Sequence, residues 1–593
     1  MKEKIQQLLS QAIQLLVQTG HVPSEVLSVA IVVERCRDRT HGDWTSSWAM
    51  MAARNARRSP RDLAQLVVQS LAADAAITHS QIAGPGFINF RTDKSLQHQA
   101  LLQLLNNPAY GHSTIGANQH IQVEFVSANP TSALHVGHGR GAAYGMSVAS
   151  LLASQGFTVQ REYYVNDAGR QMHILATSTY LRYLECCGET LVFPVNGYRG
   201  DYVREIAAEV FRTHGTVHQQ PLSALYAGVA ADEHPDTETT GSGGDKEAHI
   251  DGLIAAAQRL LGETAYAVFF QAALSHILQD IRQDLEEFGV HYDRWYSERS
   301  LMDQGALQRA ISRLNQAGAT YEQNNALWFR STAYGDDKDR VLIRDNGQST
   351  YFASDVAYHL DKFERGFDRI INIWGADHHG YIPRVKAALQ ALGIDPERLE
   401  VRLVQFVTLW RGHEQVQMSS RSGQFITLRQ LRQEVGNDAA RFYYITRKSE
   451  QHIDFDMALA TSQSKDNPVY YIQYAHARIC SIELRFQEEI GELVTTQADM
   501  LALEGDQEQD IIRLLSSYPD TLATAAKERE PHQLAFLLRD LAALFHTWYN
   551  QTKVIVDERP VAHARMLLCG CIRQVLRQGL TLLGVQAPVR MYD

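Results

Sequence analysis

IQVEFVSANPTSALHVGHGRGAAYG, residues Ile121–Gly145, is the stretch from which the fold is read. IQVEFV is rich in β-branched residues and predicts a buried strand, SANPTSAL a turn, and His135-Val136-Gly137-His138 the start of a helix. A strand, a loop and a helix N-terminus gather backbone N–H groups that point one way, which makes an anion site. The two imidazoles stand three residues apart, so a helix puts them on one face. Aimed at a phosphate, two such donors hold the charge that builds when a nucleophile attacks it. Gly137 between them has no side chain, which lets a flat ring such as adenine approach the backbone.

A His-x-x-His pair also suits a metal ion, although no nearby Cys or His completes a ligand set. Two unrelated surface histidines are the other bland reading; the adjoining strand, glycines and Asn129 weigh against it. In this setting HVGH resembles the HIGH motif of class I aminoacyl-tRNA synthetases. The longer string VEFVSANPTSALHVGHGRG is similar to that of arginyl-tRNA synthetases, whereas H-x-G-H alone also occurs in other nucleotidyltransferases. The resemblance implies that His135, Gly137 and His138 bind ATP and that both histidines are catalytic. It also implies that Glu124 supplies negative charge, and Asn129 hydrogen bonds, to the amino acid.

At 593 residues the chain has room for roughly four domains. Its 45% hydrophobic content suits a soluble globular protein, and the net charge of −11 argues against indiscriminate nucleic-acid binding. RNA stays open, because phosphate contacts need only a local basic face. Six cysteines without ligand spacing or a disulfide framework point to a reducing cytoplasm. MKEKIQQLLSQAIQLL is a patterned helix rather than a signal peptide, and no apolar run approaches the roughly 20 residues of a membrane helix.

Residues 1–115 read as a small α/β domain. Ile5, Leu8, Leu9, Ala12, Leu15 and Leu16 keep helical spacing up to Gly20, and VLSVAIVVERC reads as a strand. Ser59-Pro60 predicts an N-cap and first-turn proline for a helix to about Leu71, and IAGPGFINFRTD a strand after a Gly-Pro-Gly turn. GDWTSSWAMMAARNARRSP and GPGFINF resemble the N-terminal domain of the family, which contacts tRNA. Ser47 stands where that pattern has an asparagine.

Residues 116–455 read as a Rossmann-like catalytic domain with a helical insertion at about 180–300. FTVQREYYVNDAGRQ is its second strand and a polar turn, where Asn166, Asp167 and Gln171 either face a ligand or saturate backbone groups. DEHPDTETTGSGGDKE reads as a surface loop. Tyr351 and Asp355 are four apart and project together if the helix begins at or before Tyr351. A carboxylate beside a phenol receives a planar cation through forked hydrogen bonds and ring packing. In isolation a surface acid and a core tyrosine explain them as well; they match the family's Tyr-x-x-x-Asp pair, which implies arginine binding. RIINIW is a strand, and Gly375-Ala376-Asp377-His378-His379-Gly380 follows its end, where open α/β sheets place ligands. GADHHG resembles the adenosine segment of class I synthetases, which gives Gly375, Asp377 and His378 to ATP rather than to zinc.

The second class signature, KMSKS, is altered. Met418 and Ser419 match it, Gln417 and Ser420 replace both lysines, and Arg421 keeps a cation within reach. The resemblance makes Met418, Ser419 and Arg421 catalytic, although a planar guanidinium is not a simple substitute for an ammonium. Mg²⁺ entering with ATP meets part of the triphosphate charge, and no structural metal is expected.

From 456 to 593 the pattern is helical. Asn467-Pro468 opens a helix bearing Tyr470, Tyr474 and Arg478, aromatics and a cation suited to stacking on unpaired bases or, equally, to packing between helices. A helix from Pro531 buries Leu534, Leu537, Leu538, Leu541 and Phe545, and the last helix stops at Gly584. This region resembles the family's helical anticodon-binding domain, including the ending GLTLLGVQAPVRMYD. The expectation is therefore a multidomain α/β protein that uses ATP to join L-arginine to tRNA(Arg), as a cytoplasmic monomer without membrane contact. Two rivals remain: a catalytically impaired synthetase-like tRNA-binding protein, and another H-x-G-H nucleotidyltransferase acting on a small acid.

Overall fold

The computed structural model describes the chain except Arg37, residues 234–243, His413, residues 417–425 and residues 592–593. Its contacts divide into two compact units. One comprises Met1–Pro108, Leu493–Ile512 and Ile555–Cys571; the other comprises Ala109–Glu492, Arg513–Val554 and Ile572–Asp593.

The first unit contains a four-stranded antiparallel sheet in the order Val33–Arg35, Trp44–Ser46, Phe87–Thr92, Ile77–Ala83. Ile5, Leu9, Ala12 and Leu16 of helix Lys2–Gln18 pack in one core with Trp48, Leu63, Val67, Ile88 and Phe90. Leu15 instead faces solvent, and Ile13 takes the buried place. Ser59 caps helix Pro60–Ser70 by accepting the Asp62 N–H at 3.1 Å. The strand expected over VLSVAIVVERC is shorter than read. Ser24–Ser28 coils into a 3-10 turn, closed by the Ser28 hydroxyl on the Glu25 carbonyl at 2.8 Å, and only Val33–Arg35 joins the sheet. Serine side chains offer the backbone such local partners in place of a ladder.

The second unit is built on a five-stranded parallel sheet in the order Leu399–Val404, Arg369–Gly375, His120–Glu124, Thr158–Val165, Arg294–Ser297. The chain lays its first strand in the middle, builds outward on one side, then returns to the other. The switch point lies between His120–Glu124 and Arg369–Gly375, and ligands of such sheets sit outside the strand ends there. Edge strand Arg294–Ser297 falls inside the stretch read as a helical insertion; helices Arg170–Cys186, Asp201–His214 and Lys246–Glu287 occupy most of the rest.

A separate antiparallel sheet, Thr320–Gln323, Ala326–Phe329 and Arg340–Ile343, supports helix Tyr351–Glu364. Phe352, Ala353, Val356, Ala357 and Leu360 bury one side of that helix against Phe329 and Leu342. The other side carries Asp355, Tyr358, His359 and Lys362 at helical three- and four-residue spacing, and the last three bond into the parallel sheet. Packing the apolar side therefore drives a polar stripe into the switch-point crevice.

Beyond Asp456 the described residues contain helices and no strand. Leu534, Leu537, Leu538, Leu541 and Phe545 of helix Pro531–Gln551 are buried, and Gly584, at φ +69°, follows the end of helix Arg559–Leu582. Among the described residues no helix is long and apolar enough to cross a membrane.

Candidate active site

Beyond Glu124 the backbone turns sharply: Val126 has φ 68° and Ser127 φ 42°, in the left-handed region that a β-branched valine rarely enters. The turn is held by its surroundings. The Ser127 hydroxyl donates to Glu124 Oε1 at 3.0 Å and accepts the Tyr164 N–H at 3.0 Å. The Tyr163 phenol donates to the Ala128 carbonyl at 3.0 Å, and that of Tyr202 to Thr131 at 2.7 Å. Asn166 Nδ2 donates to Asn129 Oδ1 at 3.2 Å. This clamped loop delivers the chain to His135.

His135 is the N-cap of helix Val136–Ser154. Its Nδ1 accepts the Gly137 N–H at 3.1 Å, while His138 Nδ1 accepts the His135 N–H at 3.2 Å. The rings stack with centroids 3.6 Å apart. Because each Nδ1 accepts, each proton sits on Nε2, and both rings present N–H edges. Burial lowers the His135 pKa, and burial together with His135 pushes His138 down to about 3. The imidazoles are therefore neutral donors. Gly137 is needed beside them for a further reason: a Cβ there would stand 3.0 Å from the His135 ring.

The cradle is braced from the far end of the catalytic region. The Tyr444 phenol donates to the Val136 carbonyl at 2.8 Å, and buried Arg140 donates to Gln405 and Lys448 carbonyls at 2.8 and 2.9 Å. The Val136 N–H donates to the Ile426 carbonyl at 3.3 Å, and the Leu428 N–H donates to the Leu134 carbonyl at 2.8 Å. Ile426–Leu428 thus lies against the histidine cap.

Glu124, Asp355 and Glu298 form the acidic side of the crevice. The Asp355 carboxyl is pushed up to about 7, first by burial and then by Glu298 and Glu124, with Arg384 and Lys362 opposing. Glu298 is pushed up to about 7 by burial and by Asp167, with Tyr164 bonded to it in opposition. Its Oε2 is buried with no hydrogen-bond partner among the described residues. Two carboxylates held near neutrality, one with an unsatisfied oxygen, are arranged to receive a cation. The helix begins at Tyr351, the condition under which Tyr351 and Asp355 project together, and Tyr351 is 52% exposed. Its hydroxyl lies near Gly169.

Glu124 carries a partner that its sequence context does not suggest. Its Oε2 accepts the fully buried Lys362 ammonium, which also donates to Asn372 Oδ1 at 2.9 Å. Asn372 Nδ2 donates to His359 Nε2 at 2.8 Å, and His359 Nδ1 donates to the Asp355 carbonyl at 2.7 Å. That pairing makes His359 neutral, and burial pushes its pKa down to about 3.

On the other strand of the switch point, Ala376–Tyr381 forms a 3-10 turn directly after Arg369–Gly375. A Cβ on Gly375 would stand 2.5 Å from Asp377 Oδ1, so only glycine fits there without displacing the carboxylate. Asp377 and His378 are exposed side by side, 3.6 Å apart. Among the described residues, no group of three or more His, Cys, Asp or Glu side chains is placed to hold a metal ion.

Three family models match the chain. "Arginyl tRNA synthetase N terminal domain" covers residues 3–92, "tRNA synthetases class I (R), catalytic domain" covers 100–185 and 258–463, and "DALR anticodon binding domain" covers 472–591. The arginine–tRNA ligase of Thioalkalivibrio sulfidiphilus is 54% identical over 599 residues, and that of Halorhodospira halophila 53% over 595, each match spanning 100% of both chains. The chain belongs to the arginyl-tRNA synthetase family. The Thermus thermophilus arginyl-tRNA synthetase has the same fold, with a TM-score of 0.73 at 22% identity and 100% of both chains covered.

Glu124, Asn129, His135 and His138 lie along one strand–loop–helix, and Glu124 and Asp355 interact electrostatically. Tyr470, Tyr474 and Arg478 also come together. The two phenols stack at 6.0 Å, and Arg478 donates to the Tyr474 hydroxyl at 2.7 Å and to His546 at 3.3 Å. Met418, Ser419 and Arg421 lie outside the described residues. Glu298, His359, Lys362 and Asn372 escaped the sequence reading. The spacing Asp355, His359, Lys362 was a signal for two of them: a polar stripe on a helix whose opposite side is apolar.

Proposed function

We propose that the chain attaches L-arginine to tRNA(Arg) in two steps that consume ATP, supplied with Mg²⁺. An arginine carboxylate oxygen attacks the α-phosphorus of ATP, the bond to the β-phosphate oxygen breaks, and pyrophosphate leaves with that electron pair. The product is arginyl-adenylate. A hydroxyl of the terminal tRNA adenosine then attacks the carbonyl carbon of this anhydride, its proton is lost, and AMP departs.

The two Nε2–H edges of His135 and His138, at a helix N-terminus, donate to the phosphate as its charge grows. Being neutral and rigidly capped, they act by charge stabilisation rather than proton transfer. Asp355 and Glu298 take the guanidinium in forked hydrogen bonds, with Tyr351 beside them. Glu124 and Asn129 hold the other end of arginine, and Gly137, Gly375, Asp377 and His378 bound the adenosine. Met418, Ser419 and Arg421 enter by motif resemblance. Tyr470, Tyr474 and Arg478 serve the tRNA; Tyr474 and Arg478 fall in the region matched by the anticodon-binding model, and Tyr470 stands just before it. Six cysteines, none of them in a disulfide, suit a reducing cytoplasm.

The observation that carries this reading is the acidic recess behind Glu124, on the same strand that leads into the paired-histidine cap. Exchange of pyrophosphate into ATP that requires both arginine and tRNA(Arg) tests it. Exchange with another amino acid, or none with any, overturns it.

A further inference from the structure

Lys362 lies seven residues after Asp355, one face of the helix away from solvent, and its side chain is fully buried. A buried ammonium is costly unless paired and hydrogen-bonded. Lys362 has both: the Glu124 carboxylate, the Asn372 carbonyl oxygen, and the Tyr358 ring 4.4 Å below. Glu124 in turn fixes Ser127 in its left-handed conformation, at the head of the loop that carries Asn129 and leads to His135. Asn372 links the same ammonium to His359, and His359 to the backbone of Asp355. One cation thus joins both strands of the switch point to the helix that presents Asp355.

We infer that Lys362 is a positioning residue for arginine: it orients Glu124 toward the amino acid and offsets part of its charge, so that Asp355 and Glu298 are left to the guanidinium. The inference rests on the arginine reading above. Without this ammonium, three carboxylates would crowd one recess, and their mutual repulsion would favour proton uptake over arginine. Asp355 is the group through which this is read. Glu298 faces it from the edge-strand side, Glu124 from the central strand, and Tyr164 from the strand between them. Arg384 of helix Ile382–Ala391 and Lys362 supply the opposing charge, and neutral His359 bonds its backbone.

The test is the pH dependence of the arginine KM in tRNA charging, in four proteins: wild type, Glu124→Gln, Lys362→Met, and the double variant. Removing the cation moves the midpoint of that dependence up by half a pH unit or more, with the arginine KM raised at least tenfold and the ATP KM within threefold. Removing the anion moves the midpoint down, and removing both returns it to the wild-type value. Should Lys362→Met fail to fold, Glu124→Gln and the charge-balanced double variant still differ in the predicted direction. A purely structural lysine lowers activity without ordering the midpoints, and that result overturns the inference alone. Wild-type protein that charges no arginine overturns the reading beneath it, and the inference with it.

Discussion

His138 Nδ1 accepts the backbone N–H of His135, and this single bond gives one residue two tasks. It completes the helix cap by accepting a backbone N–H at the helix start, and it places the ring proton on Nε2. The cap and the phosphate donor are the same imidazole, so the donor's orientation comes from secondary structure rather than from a side-chain network.

His138→Ala should slow adenylate formation by about two to three powers of ten, the range for a lost charge-stabilising donor. It should cost about 1 kcal/mol of stability through the lost cap. Single-turnover activation and urea denaturation separate the two effects. Unchanged activation with the cap lost would remove His138 from the chemistry.

Asp355→Asn should raise the arginine KM at least tenfold while leaving the ATP KM nearly unaltered, because a charge-assisted contact disappears. It should also stabilise the unliganded fold. The Asp355 carboxyl titrates at about 7 rather than 3.8, so the native state binds the proton more tightly than the unfolded chain. Its ionisation therefore costs stability progressively as pH rises from about 4 to 7. The variant should gain on the order of 1 kcal/mol or more at pH 8, shrinking toward zero near pH 4. Denaturation curves at the two pH values check the sign.

In the wild type Asp355 and Glu298 together set the pH response of substrate binding. Asp355 and Glu298, both near 7 when empty, must lose their protons to meet a guanidinium. The arginine KM should fall as pH rises through about 7 and level off above 8, while the ATP KM stays flat across that window. Initial rates at saturating levels of the other substrates give both values. An arginine KM that rises with pH would place the guanidinium elsewhere.

The features legible in the sequence are those whose causes are local. The start of the histidine helix follows from a cap and its N–H acceptors within four residues, and Pro60 and Pro468 mark helix starts by their fixed backbone. What stayed hidden depends on pairing across the fold. Lys362 and Glu124 are 238 residues apart, and nothing near either predicts the other. Glu298 is one acid in a turn after a short strand; its perturbation comes from burial and from Asp167, which lies 131 residues earlier in the chain. Arg294–Ser297 is four residues of mixed polarity after a long helix, and it becomes a strand because Thr158–Val165 offers it an edge. Val26–Ser28 shows the reverse case, the start of a stretch read as a strand yet coiled into a 3-10 turn closed by the Ser28 hydroxyl.

Tyr444→Phe tests how far the rest of the catalytic region steers the cradle. The Tyr444 phenol is fully buried and donates to the Val136 carbonyl, in the first turn of the histidine helix. Burial raises its pKa well above the ordinary value, so it remains a donor at every working pH. Losing one such bond, with the ring's packing retained, should cost about 1 kcal/mol. If that contact holds the helix start where the phosphate must bind, kcat for activation should fall severalfold while the arginine KM holds, because the acidic recess is built on other elements. A drop in stability with kcat untouched would show that the cap alone suffices to aim His135 and His138.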